Sequence, residues 1–132
     1  MDGSLEVNEF RIAGGPQAPL SARECVSETF ATQLDKPVVD NMRLLVSELV
    51  TNCVLHGGAD TAAEITVRAA VHHDRVRTEV CHDSPAFEPP VGKPDLDSPG
   101  GLGLFLVEQM SSAWGIHDNS ENCVWFELGL AA

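Results

Sequence analysis

Leu45-Val-Ser-Glu-Leu-Val-Thr-Asn-Cys-Val-Leu-His-Gly57 is the stretch on which the reading of this chain turns. It has the pattern of a helix. Met42, Leu45, Leu49 and Cys53 recur at helical spacing and mark a core face. Glu48, Asn52 and His56 follow one another four residues apart, and residues four apart stand one above another on a helix. A carboxylate, an amide and an imidazole therefore share one edge beside a buried face. Gly57 and Gly58 stop the helix, as glycine does just past a C-cap. Farther on, Gly100-Gly101-Leu102-Gly103-Leu104 opens a second amphipathic segment. A carboxylate and an amide on one helix, with a glycine-rich helix start elsewhere, is what a Mg-nucleotide site needs.

The elements around these stretches alternate in kind. Residues 5–12 read as a strand, ended by Gly14-Gly15-Pro16. A first helix is expected from Ser21 to Leu34, with Ser21 and Glu24 as a capping box and Ala22, Cys25, Val26, Thr29 and Phe30 inward. The second helix spans 37–56, with Pro37 in its first turn. Residues 63–71 alternate with period two and place Ile65, Val67, Ala69 and Val71 on one face. His72-His73-Asp74 turns the chain. Residues 75–82 return with Val76, Thr78 and Val80 on one face and Arg75, Arg77 and Glu79 on the other, which makes a hairpin. Residues 84–99 hold five of the eight prolines and no periodicity. A loop of that length is usually functional or mobile. A third helix is expected over 102–113, with Leu104, Val107 and Met110-Ser111 inward. Residues 114–117 and 123–128 form a closing hairpin. The order β-α-α-β-β-loop-α-β-β predicts an α+β, two-layer sandwich: one mainly antiparallel sheet with helices on one face.

Composition narrows the function. The chain has 132 residues, one domain's worth, spanning 1–132, and is 43% apolar. Twenty acidic residues against eight basic give a net charge of −12. That argues against direct nucleic-acid binding, which needs a basic surface, and suits a basic protein partner. No run is long enough to span a membrane, and the N-terminus lacks a signal pattern, so a cytoplasmic protein is expected. Cys25, Cys53, Cys81 and Cys123 show no Cys-x-x-Cys pairing and are expected as buried free thiols.

Each motif alone has an ordinary explanation: a polar helix flank, a flexible loop end, a strand-end turn at His82-Asp83. Their order resembles the GHKL ATP-binding fold shared by gyrase, MutL and histidine kinases. Within it the chain is similar to the small bacterial anti-sigma factors with serine-kinase activity, in particular their short actinobacterial relatives. Glu48-Leu-Val-Thr-Asn52-Cys-Val-Leu-His56-Gly57 resembles that family's N box. Gly100-Gly-Leu-Gly103-Leu-Phe-Leu-Val resembles its second glycine box, and Val124-Trp-Phe-Glu-Leu128 fits its closing strand. The resemblance runs from about residue 5 to 129 of the chain.

The resemblance implies that Asn52 ligates Mg²⁺ and that Glu48 is the base for a serine hydroxyl or water. It implies that His56 and the run Gly100, Gly101, Leu102, Gly103 and Leu104 contribute to an ATP site, with residues 84–99 as its lid. One box departs. The family's first glycine box is Asp-x-Gly-x-Gly, with its Asp on adenine. Here no glycine lies between Asp83 and Gly92, and the Asp position falls on either His82 or Asp83. A one-residue shift along a strand moves a side chain to the opposite face.

Two functions follow from the resemblance. One is an ATP-dependent anti-sigma factor that sequesters a sigma factor and phosphorylates a serine on a STAS-domain anti-anti-sigma partner. The other is an interaction module that binds such partners without phosphotransfer. A histidine-kinase catalytic domain or other hydrolase is least expected, since one strand and one helix account for the residues ahead of the second helix. The resemblance also leaves a homodimer open, with Phe105, Leu106 and Phe126 as core or contact residues.

Overall fold

Alternation of apolar residues drives five strands into one sheet. The computed structural model describes residues 7–56, 64–82, 103–117 and 122–130. In chain order the elements are β1 (Val7–Ala13), α1 (Ala18–Phe30), α2 (Lys36–His56), β2 (Glu64–Val71), β3 (Arg75–His82), α3 (Gly103–Met110), β4 (Ala113–His117) and β5 (Asn122–Gly129). The sheet order is β1-β2-β3-β5-β4, and every neighbouring pair is antiparallel. The α+β class and the element order agree with the sequence reading. Residues 57–63 and 83–102 fall outside the description, so the lid expected over 84–99 does too.

One face of the sheet is the core. Ile12, Ile65, Val67, Ala69, Val76, Val80, Val124, Phe126 and Leu128 are buried there. The helices cover them with Ala18, Ala22, Val26 and Phe30 of α1, Val39, Met42, Leu45, Val46, Leu49, Val50 and Cys53 of α2, and Leu104 and Val107 of α3. Phe126 is thus a core residue, whereas Phe105 is exposed. The opposite face is polar and ion-paired. Arg68 links Glu9 and Glu79 at 2.9 and 3.1 Å, and Arg75 meets Glu127 at 3.1 Å. The Arg68 and Arg11 guanidinium groups hold the Glu9 carboxyl below its ordinary value. Trp125 lies flat on this face, with the Arg77 guanidinium carbon 4.0 Å from its ring centroid. Its register partner is Gly115, where a Cβ would come within 2.7 Å of the indole Nε1.

Three expectations need correction. First, α1 begins at Ala18, not Ser21, and Gln17 is its N-cap with no side-chain capping bond. Gly15, at φ 108°, turns the chain sharply, and Pro19 sits in the first turn, where its fixed φ suits a helix start. Ser21 then lies inside the helix, donating its N–H to the Gln17 carbonyl, so the Ser21–Glu24 capping box does not form. The same helix ends at Phe30, short of Leu34. Second, α3 stops at Met110 rather than 113, because Ser112 donates its N–H to Glu127 and the chain joins the sheet from Ala113. Third, only Cys25 and Cys53 are free thiols. Cys81 and Cys123 form a disulfide across β3 and β5. They are direct register partners with Cα atoms 4.1 Å apart, so two residues that read as separate thiols in sequence face each other across one ladder.

Candidate functional site

The site grows from the polar edge of α2. The buried stripe from Val39 to Cys53 fixes the helix rotation. That rotation leaves Glu48 half-buried and carries Asn52, one turn later, fully inside at 1% exposure. His56 is the last residue of α2. A hydrogen bond of 2.8 Å from Arg23 of α1 to the Ser47 hydroxyl braces the helix beside Glu48.

Asn52 is the unusual residue. Neither Oδ1 nor Nδ2 has a hydrogen-bond partner among the described residues. Burying an amide without partners costs about 1–3 kcal/mol. Such a group is retained where something else satisfies it.

The start of α3 closes against this amide. A Cβ built on Gly103 would lie 3.2 Å from Asn52 Cγ and closer still to Nδ2. Only a glycine lets the helix start approach the carboxamide this closely, and Gly103 itself is buried. A helix N-terminus presents unpaired N–H groups suited to anions. An amide oxygen for a hard cation and backbone donors for phosphate therefore meet at one junction. These residues fit a Mg-nucleotide.

His82 ends β3 and is 2% exposed. It continues the inward alternation of Val76, Thr78 and Val80, so the core-facing end of this strand carries an imidazole. Of the other residues read from sequence, Leu104 is buried in the first turn of α3. Asp83, Gly100, Gly101 and Leu102 lie outside the described residues. The structure thus brings Asn52 and Gly103 together and puts His82 on the same side of the sheet.

Two contacts, Gly103 with Asn52 and Cys81 with Cys123, escaped the sequence. Gly103 was legible only as one glycine of a run; that it is the one touching Asn52 depends on how α2 and α3 pack. The Cys81–Cys123 link depends on β3 pairing with β5, a contact 42 residues apart in sequence. The available signal was face alternation, since Cys81 continues the Arg75, Arg77, Glu79 face and Cys123 the Trp125, Glu127 face.

Comparison with known proteins agrees with this fold. The family model described as the histidine kinase-like ATPase domain matches residues 17–128. The chain is similar to the serine-protein kinase RsbW of Bacillus velezensis, 30% identical over 62% of this chain and 59% of the relative. It is similar to the anti-sigma F factor of Thermoanaerobacter sp. (strain X514), 32% identical over 61% of this chain and 57% of the relative. The serine-protein kinase RsbW of Bacillus subtilis is 28% identical over 62% and 59%. The chain thus matches less than two thirds of the length of each of these relatives.

Proposed function

Because the chain belongs to the histidine kinase-like ATPase domain family, we propose that it is a Mg-ATP-binding anti-sigma factor that also acts as a serine-protein kinase. It sequesters a sigma factor and phosphorylates a serine on a STAS-domain anti-anti-sigma protein. The names of the similar relatives, serine-protein kinase and anti-sigma F factor, support this class. The observation that carries it is the buried Asn52 carboxamide, without a hydrogen-bond partner among the described residues, beside Gly103 at the start of α3.

In this reading Asn52 Oδ1 would ligate Mg²⁺, and the backbone N–H groups of the run 100–104 would receive phosphate oxygens. Bound Mg-ATP would supply the phosphoryl group and a cation that neutralises charge on it. Glu48, one turn from Asn52 and half-buried, accepts the proton of the attacking serine hydroxyl. His82, buried at the end of β3, is the described candidate for the adenine end. The acidic surface suits a basic, DNA-binding sigma factor as partner. In this reading the chain binds neither nucleic acid nor membrane directly and works in the cytoplasm. No described helix is long and apolar enough to cross a membrane.

A second reading keeps the partners and drops the chemistry. His82, where the family pattern has an acid for adenine, favours it.

Phosphotransfer decides between them. Purified chain, γ-labelled Mg-ATP and a STAS-domain protein from the same organism should give a phosphoserine on the STAS protein. Glu48→Ala should lower that rate by about 10²-fold or more while leaving Mg-ATP affinity intact. An unchanged rate removes Glu48 from the role of base. No transfer by the parent chain, with a sigma factor still captured without ATP, supports the second reading.

A further inference from the structure

The Cys81–Cys123 disulfide lies on the sheet face away from the helices, and its surroundings are asymmetric. Cys81 is fully buried, whereas Cys123 keeps 6% of its surface exposed. The Arg68 guanidinium Nη1 stands 3.5 Å from Cys81 Sγ and 3.1 Å from the Glu79 carboxylate. Glu79, Cys81 and Cys123 form one cluster with their polar atoms within 4.8 Å of one another. The Glu79 charge is committed to Arg68. A guanidinium beside a sulfur stabilises its thiolate, and the sulfur with the more stable thiolate leaves faster in exchange.

The two free cysteines offer no such chemistry. Burial pushes the Cys53 thiol up to about 12. Burial, Glu28 and Glu24 also push Cys25 above its ordinary value.

The link's position gives it leverage. The next register pair beyond Cys81–Cys123 is His82–Asn122, where β3 ends and β5 begins. The disulfide therefore clamps the two strand ends that hold His82 in place.

We infer that Cys81–Cys123 is a reducible thiol–disulfide exchange site whose state sets nucleotide affinity. The affinity half rests on the Mg-nucleotide reading above. The reductant is a dithiol, either small or on a protein. Its thiolate attacks Cys123 Sγ, the S–S bond breaks, and Cys81 Sγ departs with the electron pair beside Arg68. The reductant's second thiolate then attacks its own sulfur in the mixed disulfide and releases Cys123. The reductant leaves as a cyclic disulfide. Two electrons, and the two protons its thiols lose, end on the cysteine pair. An oxidised dithiol runs the sequence backwards. In a reducing compartment, a disulfide is characteristically transient and redox-sensing.

The test uses the whole folded chain in stepped ratios of reduced to oxidised dithiothreitol. Iodoacetamide trapping and peptide mass spectrometry read the thiols, and calorimetry with Mg-ADP reads affinity in each end state. Without denaturant, Cys81 and Cys123 should become alkylated together, more slowly in Arg68→Gln. Mg-ADP affinity should fall about fivefold or more on reduction. The double variant Cys81→Ser, Cys123→Ser should show the reduced value under oxidising conditions. A disulfide that survives excess dithiothreitol until denaturant is added overturns the exchange site. A pair that reduces with no change in affinity overturns the coupling. If neither state binds nucleotide, the Mg-nucleotide reading fails, and the exchange step still stands or falls on the alkylation result.

Discussion

Asn52 and Gly103 make the site a matter of single atoms. The carboxamide at position 52 is buried and unpartnered among the described residues, and the residue facing it has no side chain. An alanine at 103 sets two effects against each other. Helix propensity gains about 1 kcal/mol over glycine. Overpacking against a buried neighbour costs about 1–3 kcal/mol. Gly103→Ala should therefore melt close to or below the parent, yet lose at least about tenfold in Mg-ATP affinity because Asn52 must move, a difference of about 1.4 kcal/mol. Thermal melts and calorimetry on the same preparation separate the two. Unchanged affinity would mean that α3 does not close over the carboxamide. At this scale the sequence was informative about Asn52, because spacing on one helix is a local property. It was ambiguous between His82 and Asp83. The described strand resolves half of that: His82 has the inward position of a period-two alternation.

Elements were legible where their signals were local and misplaced where a neighbour decided. Period-two runs placed β2 and β3 within a residue. The start of α1 was read from Ser21 and Glu24, but the turn at Gly15 and the proline at 19 begin the helix earlier. The end of α3 was set by a hydrogen bond to β5, a partner that its own sequence does not contain. Pairing of β3 with β5 was equally nonlocal, and with it the disulfide. That link closes a loop of 42 residues. The chain-entropy account assigns such a loop about 4 kcal/mol of stabilisation. Replacing both Cys81 and Cys123 by serine should lower the urea midpoint correspondingly. An unchanged midpoint would mean that the crosslink does not constrain the unfolded chain as this account requires.

The molecule as a whole separates its charge. Ion pairs of Arg11, Arg68, Arg75 and Arg77 with Glu9, Glu79, Asp74 and Glu127 occupy the polar sheet face and its edge. These four cations and four anions cancel, so the net −12 is carried by the chain's other charged residues. An acidic surface steers a basic partner, and added salt screens that steering over about 8 Å at physiological ionic strength. The association rate with a sigma factor should therefore fall steeply as NaCl is raised, read by stopped-flow fluorescence. A salt-independent rate would assign partner recognition to apolar contact instead. The charge balance was plain in the composition. Its segregation was not, because it follows from which strand faces the helices leave open.

Titration of Mg-ATP into the purified chain by calorimetry, beside Asn52→Ala, tests the central claim most directly. The account predicts micromolar-range binding by the parent, on the order of −8 kcal/mol, that Asn52→Ala abolishes while its fold persists. Equal binding by both proteins, or none by the parent at millimolar nucleotide, would contradict it.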